Sequence, residues 1–390
     1  MTDQEIIAGR GENAEASGTL GLNFYGLSSD GNVQTVFSSA DMGQGSGAVA
    51  WLAGDFVGAS IDFHQIAQLW DNGGTLGLNI YAPFIEKALF SFPDLGQGSG
   101  AVAWLAGNFF GGSTDAIAQL WDNGGNLGLN VYQMAGGSLR TVIASSDLGQ
   151  GSGAVAWLTG DFTGSGHTEI AQLWDNGGNL GLNVYGMAGG TVQTVFESSD
   201  LGQGSGAVAW LTGDFSDVGT TEIAQLWDDN GTLALTVYRY EQGTVVAPVG
   251  NDLGQGLGAV AWLTGDFFDR GSTQIVQLWD NDGTLGAVVY GVVNGTAETL
   301  FGSSDLGQGS GAVAWLTGHF SSSDFLDIAQ LWDNDGTLSV LFYADGNRNG
   351  NLGTDPFHGG NLGQGPGALA WLTGDFTASG LTAIAQPWAS

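Results

Sequence analysis

Cysteine is absent from the 390 residues, which excludes disulfides and cysteine-based zinc sites. Basic residues are nearly absent too: Lys and Arg total 6 against 39 Asp and Glu, a formal net charge of −33. Such a charge repels phosphate backbones and anionic lipid surfaces, so neither nucleic acid nor a membrane surface is expected as a partner. No stretch reaches the roughly 18 apolar residues that a membrane-spanning helix needs, so no membrane insertion is expected. The opening MTDQEIIAGRGENAEASG lacks the charged-then-apolar form of a signal peptide. A soluble chain is expected, with cytoplasmic residence and non-classical secretion both open. Nor does a 3.6-residue apolar period persist anywhere, because glycine interrupts each candidate helix.

What is present is glycine, tryptophan and repetition. The 70 glycines are about 18 per cent of the chain against a usual 7, yet they follow no three-residue period, and 43% of residues are hydrophobic, so the chain can bury a core. The words AVAWL, QLW and GLN recur at a fixed spacing. The first tryptophan of each unit is Trp51, Trp104, Trp157, Trp210, Trp262, Trp315 and Trp371, at intervals of 53, 53, 53, 52, 53 and 56. A second follows at Trp70, Trp121, Trp174, Trp227, Trp279, Trp332 and Trp388, which accounts for all 14.

One unit, 147–199, divides at its glycines into AVAWLTGDF, EIAQLWD, NLGLNVYG and TVQTVFESS. These runs, rich in Val, Ile, Trp, Tyr and Phe, read as strands A to D of an antiparallel sheet. The link between B and C is DNGG, DDNG or DNDG, which supplies the positive φ of a tight hairpin. Seven units of four strands predict an all-β fold, a seven-bladed β-propeller. The seventh unit has only A and B strands, ALAWLTGDF and AIAQPW, while 18–39 begins with the missing C and D strands, TLGLNFYG and VQTVFSS. Ring closure is therefore expected through a blade completed by both ends. Length alone would suggest two or three domains; the repeats predict instead an N-terminal extension over 1–17 and a single propeller over 18–390.

The segment LTGDFTGSGHTEIAQLW, 158–174, resembles the FG-GAP or VCBS type of propeller repeat, with Gly-Asp-Phe ending strand A and Ile-Ala opening strand B. The resemblance covers all seven units. Among such families the Trp-rich, regular chain looks more similar to fungal and bacterial propeller lectins of the Psathyrella and Photorhabdus types than to integrin heads. It implies carbohydrate binding, with fucose or N-acetylglucosamine as the sugars such lectins take. The family's calcium loop is poorly matched: DFTGSGHTE, DFSDVGTTE, DFFDRGSTQ and DFTASGLTA hold one or two acids, and Asn108 and His319 replace the first acid elsewhere. Calcium wants several carboxylates at alternating positions, so the loop is expected to survive as a turn, with no metal and no cofactor.

Seven copies in one chain contain their own control. In a four-stranded blade the D–A and B–C connections share one end of the ring, and A–B and C–D share the other. The first end is almost uniform: DLGQGSG or a close variant recurs before every strand A, and QLWD precedes the turn in six copies. The second end has drifted, as VGASIDFHQ against SSSDFLD illustrates. Folding accounts for the glycines but less readily for the Gln of each GQG loop, Gln44, Gln97, Gln150, Gln203, Gln255, Gln308 and Gln364, or for the Asp after the strand-B Trp, Asp71, Asp122, Asp175, Asp228, Asp280 and Asp333. With Trp70, Trp121, Trp174, Trp227, Trp279 and Trp332, these aspartates and the first six of the glutamines, Gln44 to Gln308, form the candidate ligand set. An indole covers the apolar face of a pyranose, while carboxylate and amide bond its hydroxyls.

Each residue also has a structural reading. The strand-A Trp is expected as interblade core, and the strand-B Trp as either core or platform. The mid-strand Gln, such as Gln172, would register neighbouring blades, and the Asp would stabilise its turn. Catalytic motifs are missing: no HExxH, GxSxG or GxxxxGK occurs, and GQGSG precedes a strand rather than a helix. The histidines, His64, His167, His319 and His358, sit at unmatched positions and are expected in surface loops. The chain thus reads as a multivalent, non-enzymatic carbohydrate-binding protein whose partners are glycans. A protein-interaction or adhesion scaffold and a calcium-dependent module are the alternatives.

Overall fold

A computed structural model describes residues 19–28, 32–43, 47–58, 61, 63–96, 100–149, 153–202, 206–254, 258–307, 311–321, 326–334, 336–345, 350–359, 362–363 and 367–389. The expected extension over 1–17 lies outside them. The described residues form seven antiparallel sheets of four strands each and contain no helix. In the third blade strand A is Ala154–Gly160, B is Glu169–Asn176, C is Asn179–Ala188 and D is Thr191–Ser198. The seventh blade joins Leu372–Gly374 and Ala383–Ala389 to Leu20–Leu27 and Val33–Ser39, a sheet drawn from both ends of the chain. Strands A of successive blades meet all the way round, the seventh against the first. The molecule is therefore a closed seven-bladed β-propeller with strand A innermost.

The core lies between blades. Leu173, Leu180, Leu182 and Val184 of the third blade pack on Trp210, Ile223 and Tyr238 of the fourth, and the same pairing recurs around the ring. The strand-A Trp belongs to these interfaces as expected: Trp51, Trp104 and Trp210 are at most 9% exposed. Each such burial contributes on the order of 2 to 3 kcal/mol.

Gln172 is fully buried, and its Oε1 accepts from Tyr185 Oη at 3.0 Å and Asn183 Nδ2 at 3.2 Å. The Tyr–Gln bond repeats in all seven blades. This Gln was expected to register neighbouring blades; its described Oε1 bonds lie within its own blade. Its partners alternate onto the same face of the adjacent strand C, so it ties B to C within one blade.

Registration between blades occurs at the far end of strand A. Asp161 N donates to Thr221 Oγ1 at 3.0 Å, and Thr221 N returns a bond to the Asp161 carbonyl at 2.9 Å. Thr168, Thr273 and Thr382 repeat this on Asn108, Asp214 and His319. The Thr221 methyl lies 2.4 Å from where a Cβ on Gly160 would stand. The glycine of Gly-Asp-Phe is thus required by the next blade, and the phenylalanine is core, with Phe162 only 3% exposed.

Candidate functional site

The uniform end is built from the B–C hairpin and the D–A loop. In the third blade Asn176 pairs with Asn179 across a two-residue turn whose glycines, Gly177 and Gly178, have φ of 66° and 98°. Asn230–Gly231 and Asp282–Gly283 take the same left-handed values, so the three turn spellings are one geometry. Asp175 Oδ1 accepts the Gly178 N–H at 2.6 Å. The equivalent bond is made by Asp71, Asp122, Asp228, Asp280 and Asp333. Every candidate Asp therefore holds its own turn with one oxygen, and every one is exposed.

Trp174 lies opposite Gly181 on strand C. Its ring atom Cε2 sits 2.1 Å from where a Gly181 Cβ would be, so the indole spreads over bare backbone. Gly21, Gly77, Gly128 and Gly286 carry Trp388, Trp70, Trp121 and Trp279 in the same way. Trp227 and Trp332 instead face Ala234 and Ser339, and Trp227 Nε1 donates to Thr236 Oγ1 at 3.4 Å. All seven strand-B indoles are half-buried, between the two roles considered for them. The indole N–H groups of Trp70 and Trp388 are shielded and have no partner.

The D–A loop reaches the same place. Asp71 N donates to the Gly47 carbonyl at 3.2 Å, as Asp228 N does to Gly206, so the loop ends against the Trp–Asp step. The other flank of the Gly206 loop is pinned to strand C of the preceding blade, with Leu180 N on the Gly202 carbonyl and Leu201 N on that of Leu180. The loop glutamines themselves, Gln44, Gln97, Gln150, Gln203, Gln255, Gln308 and Gln364, lie outside the described residues. In five of these loops the leading Asp caps its loop: Asp94 accepts from Gly96 N at 2.9 Å, with equivalents at Asp147, Asp200, Asp252 and Asp305. The described cations, Lys87, Arg140, Arg239 and Arg270, fall in or beside the connections of the opposite end.

At that opposite end the Gly-Asp-Phe acids turn inward on their own loops. Asp214 accepts from Val218 N and Gly219 N at 2.7 and 2.8 Å, and Asp266 from Arg270 N and Gly271 N, both at 2.8 Å. Backbone N–H groups thus occupy one acceptor position on each of these oxygens. The first residue of strand B completes the turn: Glu222 Oε2 accepts Ser216 N at 2.7 Å and Glu169 Oε2 accepts Thr163 N at 2.9 Å. Gln274 Oε1 does the same for Phe268 N at 3.2 Å, and also accepts Phe267 N, without charge. Burial raises the Glu169 and Glu222 carboxyls above the usual range, opposed by these hydrogen bonds. Of the histidines expected in surface loops, His64, His167 and His319 lie in A–B loops, and His358 lies instead in strand Gly353–Gly359; His319 is exposed, whereas His64 and His167 are covered by neighbouring blades. Both are half-buried; His64 N donates to the Asp375 carbonyl of the seventh blade, and the His167 ring lies over Gly111 of the second.

No family model matches the chain, and no curated protein does. Similar solved structures include the exotype rhamnogalacturonan lyase YesX, 15% identical over 94% of this chain and 74% of that one, with a TM-score of 0.43. A protein from Bacteroides uniformis described as a candidate 6-phosphogluconolactonase is 11% identical, covering 88% and 97%, at 0.48. TolB from Acinetobacter baumannii is 14% identical, covering 83% and 80%, at 0.34. The expectation of a non-enzyme is corrected by these neighbours, which include a lyase and a lactonase candidate. At such identities and TM-scores they neither assign this chain an activity nor support excluding one.

Proposed function

We propose that the propeller binds carbohydrate at repeated sites on its uniform end, one beside each strand-B tryptophan. The observation that carries this reading is the indole held flat over strand C, half-exposed, with a carboxylate at the next residue and the GQG loop ending against both. A flat, immobilised ring suits the C–H face of a pyranose. Each Asp uses one oxygen for its turn and keeps further acceptor capacity for hydroxyls. Rigid repetition adds avidity on a glycan-bearing surface. The seventh copy is the poorest, because Ala389 stands where the others have Asp.

Isothermal titration against a monosaccharide panel that includes fucose and N-acetylglucosamine tests the reading. The expected result is a stoichiometry near six, reduced by about one in Trp174→Ala with the other sites unaffected. A stoichiometry of one, or silence across a glycan array, would refute it.

A further inference from the structure

One exposed apolar residue in the innermost strands is not explained by packing. In AVAWL the Ala, Trp and Leu positions enter blade contacts, but the valines, Val49, Val102, Val155, Val208, Val260 and Val313, are 43–48% exposed. Each is the extra residue of a β-bulge. Ala154 pairs with Trp174 and Ala156 with Leu173, leaving Val155 unpaired, and the five other blades repeat the shift. A bulge re-aims its side chain, and these bulges lie where strand A leaves the GQG loop. Because strands A surround the axis, the six exposed valines form an aliphatic collar around it at the uniform end; their seventh-blade equivalent, Leu369, is half-buried against the core between the seventh and first blades.

Strand propensity does not require this residue. Threonine has the same β-branch and would expose a hydroxyl instead, and threonine is what strand A carries later in the same run, at Thr159 and Thr212. Exposed positions in the drifted loops differ from copy to copy, whereas this one is Val in six and Leu in the seventh. Exposed apolar residues repeated in six blades around one axis point to an interaction site.

We infer that the collar docks a cationic, apolar-tipped peptide segment of a partner protein. Charge complementarity selects the occupant. The collar is surrounded by the exposed hairpin and loop aspartates, among them Asp71, Asp94, Asp175 and Asp200, while the described Lys and Arg residues lie toward the other end. A second copy of the chain would set two acidic rings face to face, and an anionic membrane would be repelled equally. A segment with Leu or Phe flanked by Lys or Arg offers both the apolar contact and the charge. The apolar contact uses valines that the sugar sites do not use, while the hairpin aspartates, Asp71 and Asp175 among them, border both.

Fluorescence anisotropy with a labelled Lys–Leu repeat peptide on the full chain tests the inference. One peptide is expected to bind per ring, with affinity falling as salt rises. Binding is expected to weaken at least about tenfold, roughly 1.4 kcal/mol, when all six valines are changed to threonine, with melting temperature and sugar stoichiometry unchanged. A Lys–Ser peptide of equal charge is expected to bind the unaltered protein about tenfold more weakly, which decides the matter even if the sixfold variant does not fold. Equal affinity for the Lys–Leu and Lys–Ser peptides, equal binding by the threonine variant, or no binding at low salt would overturn the proposal.

Discussion

Seven tyrosine hydroxyls, one per blade, donate to seven buried glutamines, and their ionisation sets the alkaline limit of the fold. Burial pushes the Tyr25, Tyr81, Tyr238 and Tyr290 phenols up to about 12, and raises Tyr132, Tyr185 and Tyr343 as well. In the unfolded chain a tyrosine ionises near pH 10. Below that both states keep their protons and the contribution is intact; between about 10 and 12 only the unfolded state loses them, so stability falls as pH rises. The melting temperature is expected to drop steeply above pH 10. Tyrosinate absorbance of these residues should appear together with loss of the near-ultraviolet tryptophan signal; ionisation well before unfolding would refute the buried pairing. The tyrosine and glutamine were visible as repeated letters, but that each glutamine faces its own strand C was not, because alternation specifies a face and not the neighbour across it. The same holds for Asp175: its turn bond was one of two roles the residue type allowed, and only the hairpin geometry shows the oxygen committed to Gly178 N.

At the scale of strands and turns, glycine positions separate into two classes. Those of the hairpins were legible, since Asn-Gly and Asp-Gly announce left-handed backbone. Those under an indole or under a threonine methyl were not, because the constraint comes from a neighbouring strand or from the next blade. Gly181→Ala is expected to displace the Trp174 ring and cost about 1 to 3 kcal/mol through overpacking, read as a lower melting temperature and a changed near-ultraviolet spectrum. The blades that already carry Ala234 and Ser339 in this position show that the chain tolerates a side chain there when the indole sits differently. Equal stability and an unchanged spectrum in Gly181→Ala would refute the flat stacking. The recurrent Thr before strand B was a signal present in the sequence, at Thr168, Thr221, Thr273 and Thr382. It could not be assigned, since its partner is an N–H about 60 residues away in sequence.

Over the whole molecule, closure rests on one blade made from both ends. Tyr25 and Asn23 bond Gln386 at 2.7 and 3.1 Å, so the pattern that ties strands within a blade here ties residues 361 and 363 positions apart. Deleting residues 1–39 is expected to expose the edge of Ala383–Ala389, remove the Asn23 and Tyr25 partners of Gln386 and abolish cooperative melting, with aggregation through the open edge. A truncated chain that melts cooperatively as a monomer near the full-length temperature would refute this closure. Composition, period and turn spelling by themselves determined the strand count per unit, the number of blades, the closing blade and which end of the ring is uniform, because these follow from local propensity repeated at a fixed spacing. Which face each residue meets was decided only by tertiary structure: the aspartates on their turns, the indoles over glycine, the threonine staples and the outward valines. Those outcomes depend on how twisted sheets approach one another around the axis and on where a bulge turns a side chain, which no single repeat contains.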